Sequence, residues 1–148
     1  MLEKILTPLV LVHTMGEING KTRFQKLMFL IQKNASRKSL SKLGYGFMLH
    51  YYGPFSTELS SIIDSMVHRN YLKEDFEATS SGYLRYTYRL TSEGEAIVEE
   101  VLRKRVIPLS LIKIIRKIAA NYGNLPLELL VRKAYEQYGP EKGSLLTP

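Results

Sequence analysis

The 148-residue sequence predicts a mainly α fold with one small β-hairpin, an α+β class, on three observations. Apolar residues recur at helical spacing along most of the chain, while a single stretch, Tyr71 to Leu90, holds two strand-like runs, the second alternating with the period of strands. A hydrophobic share of 45% and a charged share of 24% are those of a packed globular chain. At this length folding buries roughly two-thirds of the unfolded surface, so the core needs neither disulfide nor metal.

The first helix covers Leu2 to Met15 and closes at Gly16. The second opens near Gly20 and runs toward Ala35, with Phe24, Leu27, Met28, Ile31 and Ala35 as its core face. Lys21, Thr22, Arg23, Lys26, Lys33 and Arg37 lie on or beside the other side, interrupted by Phe29 and Leu30, so that face is not purely solvated. A Ser-, Lys- and Gly-rich loop (Ser36 to Gly46) leads to an extended piece, Phe47 to Tyr52. Gly53-Pro54-Phe55-Ser56 reads as a turn ending in a helix cap, because the Ser56 hydroxyl can accept from a first-turn N–H. The helix it starts runs from Thr57 to Arg69, with Leu59, Ile62, Ile63, Met66 and Val67 inward, and Asn70 suits its C-terminus.

Two strands follow, Tyr71 to Glu77 and Tyr83 to Leu90, joined by Thr79-Ser80-Ser81-Gly82. In the second, Leu84, Tyr86, Tyr88 and Leu90 face one way and Tyr83, Arg85, Thr87 and Arg89 the other. Thr91 caps a helix to about Arg105, with Glu93 and Glu95 in its first turn and Arg103, Lys104 and Arg105 in its last, matching the helix dipole. After Pro108 come two more helices, Leu109 to Asn121 and Pro126 to Tyr138, and then a frayed tail from Gly139.

Helix, helix, short strand, helix, two-stranded hairpin, helix is the order of a winged helix-turn-helix. This reading divides the chain into a winged-helix domain at 1–106, a C-terminal two-helix extension for packing or dimerisation at 107–138, and a tail at 139–148. Tyr88-Arg89-Leu90-Thr91-Ser92-Glu93-Gly94 resembles the Y-x-L-T-x-x-G signature that joins wing to helix in many winged-helix regulators. There Thr caps the helix and Gly permits close packing in its first turn. Gly20-Lys21-Thr22-Arg23-Phe24-Gln25-Lys26-Leu27 and Tyr51-Tyr52-Gly53-Pro54-Phe55-Ser56 resemble motifs of the YwgA-like and SocA-like (Panacea) families of mostly uncharacterised archaeal and bacterial proteins. Tyr122-Gly123, Leu125, Leu129-Leu130 and Ala134-Tyr135 resemble their closing segment. Where those relatives tend to read K-Y-P-E, this chain has Gln137-Tyr138-Gly139-Pro140-Glu141. The resemblance implies a winged-helix fold over residues 1–138, and antitoxin-like proteins among the relatives.

Several chemistries are disfavoured. There is no Cys, which removes disulfides, thiol nucleophiles and thiolate zinc sites. His13, His50 and His68 lack metal-ligand spacing, so no metal is expected. Gly16 to Thr22 is one residue short of a phosphate-binding P-loop, whose backbone must wrap the phosphates. Glu74, Asp75 and Glu77 cluster on a hairpin strand, as a solvated edge rather than a Mg²⁺ site. No Ser/His/Asp pattern stands in a context of its own. The chain therefore reads as a non-enzyme without cofactor. No apolar run reaches the ~20 residues of a membrane span, and the opening segment carries Glu3 and lacks a cleavage site. A cytoplasmic protein is expected.

The net charge of +7 is segregated along the sequence. Ile18 to Thr57 and Val101 to Leu127 contain no acid, and the acids gather between them. A cationic surface attracts polyanions, so double-stranded DNA is the first expected partner and the chain reads as a transcription regulator, with a homodimer matching two-fold operators. Thr57, Ser60, Ser61, His68 and Arg69 would read the groove, Arg85 and Arg89 would flank it from the wing, and Lys21, Arg23, Lys26, Lys33 and Arg37 would contact phosphates. Glu58 and Asp64 on the groove-facing helix favour the other reading, a protein–protein interaction module, and Arg85 and Arg89 have cross-strand pairing with the acids of Tyr71 to Glu77 as an alternative to phosphate. Most of the ten tyrosines fall at core-compatible positions of the hairpin or near turns and are expected to pack in the core, with Tyr83 on the opposite face of its strand.

Overall fold

The computed structural model describes residues 2–37 and 43–138, with the backbone alone for Ser36 and Arg37. The predicted tail from Gly139 and the middle of the predicted loop, 38–42, lie outside the described residues. The elements are α1 (Leu2–Met15), β1 (Ile18–Asn19), α2 (Lys21–Arg37), β2 (Met48–His50), β3 (Gly53–Phe55), α3 (Thr57–His68), β4 (Leu72–Ala78), β5 (Leu84–Leu90), α4 (Ser92–Arg103), α5 (Leu109–Tyr122) and α6 (Leu127–Gln137). Among the described residues no helix is long and apolar enough to cross a membrane.

Every predicted helix is present, and the strands depart from expectation in two places. Ile18–Asn19, read as turn, is a strand on the free edge of β5, giving a three-stranded antiparallel sheet in the order β1-β5-β4. Gly20 N–H donates to the Tyr86 carbonyl at 2.7 Å and extends that edge. Two residues are too few for alternation to register in a sequence; the strand exists because β5 offers it partners. Gly53–Phe55, also read as turn, is a strand paired with β2, and the chain reverses at Tyr51–Tyr52 instead.

Residues 24–31 of α2 are buried without interruption. A helix buried on all sides needs cover on all sides. Here α5 and α6 supply much of it, with β1 and β3 against the remainder. α5 buries Leu111, Ile112, Ile114, Ile115, Ile118 and Ala119, and packs against α1 as well. Apolar residues of all six helices and of the β1-β5-β4 sheet join one core. On the sheet, Tyr88 is buried with its ring edge-on to Phe24 at 5.3 Å, and its hydroxyl donates to Glu74 at 2.6 Å.

Both predicted caps form: Ser56 Oγ accepts from Leu59 N–H and Thr91 Oγ1 from Gly94 N–H, each at 3.0 Å. Asn70 follows α3 at φ 68°, the left-handed conformation that ends helices. Gly94 is required by space, since a Cβ there would stand 2.1 Å from the Tyr71 carbonyl oxygen.

α1 contains Pro8, which has no N–H to give the Lys4 carbonyl one turn earlier. The Tyr45 hydroxyl supplies the missing donor at 2.5 Å. Tyr45 thereby ties the first turn of α1 to the segment beyond α2.

Gly94→Ala is expected to destabilise the protein by about 3 kcal/mol, because the methyl meets backbone that cannot swing away. Tyr45→Phe is expected to cost about 1–2 kcal/mol by orphaning the Lys4 carbonyl. Both are read as a lowered urea midpoint at unchanged slope.

Candidate nucleic-acid interface

The residues expected to contact nucleic acid divide into three groups, and the structure treats each differently. On α2 most of the cations are turned inward or held. Lys26 is 1% exposed, and its ammonium donates to the Pro54 carbonyl at 2.9 Å. It was expected to contact phosphates; its side of α2 is instead covered by β3, a second layer that helical periodicity does not reveal. Arg23 is half-buried and one guanidinium nitrogen donates to the carbonyls of Gly123 at 3.1 Å and Leu125 at 2.7 Å. Lys21 is exposed, with its ammonium 4.3 Å from the centre of the Tyr86 ring. Lys33 is half-buried, and the side chain of Arg37 lies outside the described residues.

Gln25 completes the set. It was not among the predicted site residues, yet its amide exchanges two hydrogen bonds of 2.9 Å with the backbone of Ser56. Arg23, Gln25 and Lys26 are thus spent on backbone carbonyls and one backbone N–H. Burial pushes the Lys26 ammonium down from its ordinary value to about 8.

On α3, Thr57, Ser61 and His68 are exposed, as is Arg69 at its end, and Ser60 is half-buried. These residues share a surface with Glu58, which takes an ion pair from Lys4 at 2.7 Å, and with the exposed Asp64. Arg69 is therefore the one cation of this face, α3 and its cap.

On β5 both arginines are engaged by carboxylates. Arg89 reaches Glu17 at 2.9 Å and Asp75 at 3.5 Å, and Arg85 stands 3.9 Å from Glu77. The cross-strand register, Lys73↔Arg89, Asp75↔Thr87 and Glu77↔Arg85, sets acids and arginines on one face. These pairs are solvent-exposed and individually weak, but they cancel the local charge.

The surplus positive charge sits elsewhere. Lys113, Arg116 and Lys117 are exposed on the outer side of α5, with Arg105 before it, and none has an ion pair among the described residues. The acid-free stretch from Val101 to Leu127 signalled them, and the i, i+3, i+4 spacing places them together. Arg103 and Lys104 both pair with Glu100.

Apolar exposure is the second unpredicted feature. Phe76 (65%) and Leu84 (53%) project from the end of the β4–β5 hairpin on the side that carries the core further in. The alternation of Leu84 with Tyr86 and Tyr88 was visible, but not that the core stops short of Leu84. Of the tyrosines, Tyr45 and Tyr88 are in the core and Tyr71, Tyr86, Tyr122 and Tyr138 pack against it. Tyr83 is exposed on the outward face of β5, and Tyr51, Tyr52 and Tyr135 are the exceptions to core packing.

No family model matches the chain. Over 84 residues it is 31% identical to the uncharacterised protein YwgA of Bacillus subtilis (strain 168), a match covering 57% of this chain and 47% of that protein. The chain spans about half the length of the curated relative it matches.

A base whose folded value lies below its unfolded one binds fewer protons in the folded state between the two. The cost of burying charged Lys26 is therefore full below pH about 8 and is relieved as the pH rises from 8 toward 10. The thermal midpoint is expected to climb across that interval in the wild type, relative to Lys26→Met, whose profile lacks this rise.

Proposed function

We propose that this chain is a winged-helix interaction module that binds a protein through α3 and the β4–β5 wing. The element order α1-β1-α2-α3-β4-β5, with strands arranged β1-β5-β4 and the β2–β3 hairpin inserted before α3, supports the winged-helix reading. In it residues 1–106 are the winged-helix part and 107–138 an extension packed on α1 and α2. The observation that carries the choice of partner is the cancelled charge of the wing, where Arg85 and Arg89 face Glu77, Asp75 and Glu17. A groove-reading surface needs cations free to displace counterions. This one offers Arg69, at the end of a helix that also exposes Glu58 and Asp64, and Lys73, on a wing face whose acids match its cations, and it ends in exposed Phe76 and Leu84, the apolar anchors that protein interfaces use.

A second reading, a DNA-binding regulator, is favoured by the unpaired Lys113, Arg116 and Lys117 of α5. They suit phosphates rather than base edges. Either reading describes a cytoplasmic protein without catalytic role or cofactor. A two-fold dimer through the outer side of α5 would oppose like charges; exposed Met48, Leu49, Tyr51 and Tyr52 offer a better surface.

Binding to a fluorescent random-sequence duplex, followed by anisotropy from about 50 to 200 mM salt, separates the two. The protein-binding reading expects no duplex retention near physiological salt. It also expects a partner captured after nuclease treatment by the wild type and lost by Phe76→Ser/Leu84→Ser at unchanged melting temperature. Tight, steeply salt-dependent duplex binding, abolished by Lys113→Glu/Lys117→Glu or by Arg85→Glu/Arg89→Glu, would replace it with the DNA reading.

A further inference from the structure

Between α1, α3 and α4 the packing leaves an open cleft of about 330 Å³. Its walls are Ile5, Leu6 and Leu9 of α1, Ile62 and Met66 of α3, and Ile97 of α4, with Ser65, Arg69 and Tyr71 completing an almost wholly apolar lining. The cleft has a sequence cause. α3 turns Leu59, Ile63 and Met66 into the core, and Ile62, one residue to the side, is left half-exposed beside α1. One turn before Ile62, Glu58 takes the ion pair from Lys4, which directly precedes Ile5. The two helices are clasped just outside the cleft, by a contact that leaves its apolar walls apart.

Arg69 is the one charged residue among those lining the cleft. Its guanidinium has no ion pair and no side-chain hydrogen bond among the described residues, in contrast to Arg23, Arg85, Arg89 and Arg103. An apolar cavity with one unpaired guanidinium at its edge has the composition of a site for an apolar acid. The planar fork of Arg matches a carboxylate at two points. A single cation balances a single negative charge, so a phosphate dianion would keep charge uncompensated against apolar walls.

We infer that this cleft binds a small apolar monocarboxylate, its chain against Ile5, Ile62 and Ile97 and its carboxylate on Arg69 with Ser65 alongside. At roughly 30 Å³ for each water-sized group, the space suits on the order of ten non-hydrogen atoms. The site shares Arg69 with the exposed surface of α3, and its apolar walls lie behind that surface whichever partner it takes. Because its walls belong to three helices, a bound acid would join α3 more firmly to α1 and α4.

The test uses the whole chain with isotopically labelled isoleucine methyl groups, titrated with decanoate and, separately, with decanol. Decanoate is expected to shift the methyl resonances of Ile5, Ile62 and Ile97 saturably, and to bind about tenfold or more tightly than decanol, the factor set by one charge-assisted contact. Arg69→Gln, an exposed change that leaves the core intact, is expected to bring decanoate to the affinity of decanol. Ile62→Trp, filling the cleft, is expected to abolish both. Equal affinities in the wild type, decanoate binding unchanged in Arg69→Gln, or shifts that are absent or centred on Ile112 and Ile118 would each overturn the assignment.

Discussion

A helix enclosed on every side has no water to offer its polar side chains, and α2 is such a helix across residues 24–31. Its polar groups must find partners inside the protein or the fold bears their desolvation. Two backbone segments, β3 with the Ser56 that follows it and the α5–α6 connection at 122–125, have the complementary problem of backbone groups left over by sheet and helix. Arg23, Gln25 and Lys26 solve both at once, reaching the carbonyls of Gly123 and Leu125, the backbone of Ser56 and the carbonyl of Pro54. The β2–β3 hairpin and α6 are thereby fixed to the same three residues of one helix. Gly53, at φ 97°, lets this happen closely: a Cβ there would come within 3.2 Å of Lys26 Cε.

This arrangement gives a physical reason for three separated stretches of sequence to occur together. Gly20–Leu27 supplies the side chains, and Tyr51–Ser56 and Tyr122–Leu125 the backbone groups, of one set of hydrogen bonds. Their association reports on folding before it reports on any activity. The same bonds remove Arg23 and Lys26 from the outer surface, so the charge of the sequence overstates the charge available to a polyanion.

Local features were legible in the sequence because local physics sets them. The caps at Ser56 and Thr91, the stop at Asn70 and the alternation of β5 each depend on a few neighbouring residues, whereas the closeness required at Gly94, set by the Tyr71 carbonyl before the hairpin, was signalled only by the resemblance. Features arising from layers were not legible. Lys26 sits where a helical wheel puts solvent, and only the position of β3 explains its burial. β1 is two residues long and owes its existence to the open edge of β5. Arg85 and Arg89 could be assigned to one face, but whether that face met phosphate or carboxylate depended on the strand register. The placement of Glu17 beside Arg89, 72 positions away, had no local signal at all.

Pro8 leaves α1 one hydrogen bond short, and Tyr45 makes up the deficit from 41 positions away in the chain. The bond has no substitute at either end. Were position 8 to regain an amide hydrogen, the Lys4 carbonyl would be claimed within its own helix, and the enclosed hydroxyl of Tyr45 would compete for it. Pro8 and Tyr45 are therefore coupled in this fold: the phenol supplies, from the segment beyond α2, the donor that the imino acid withholds within α1.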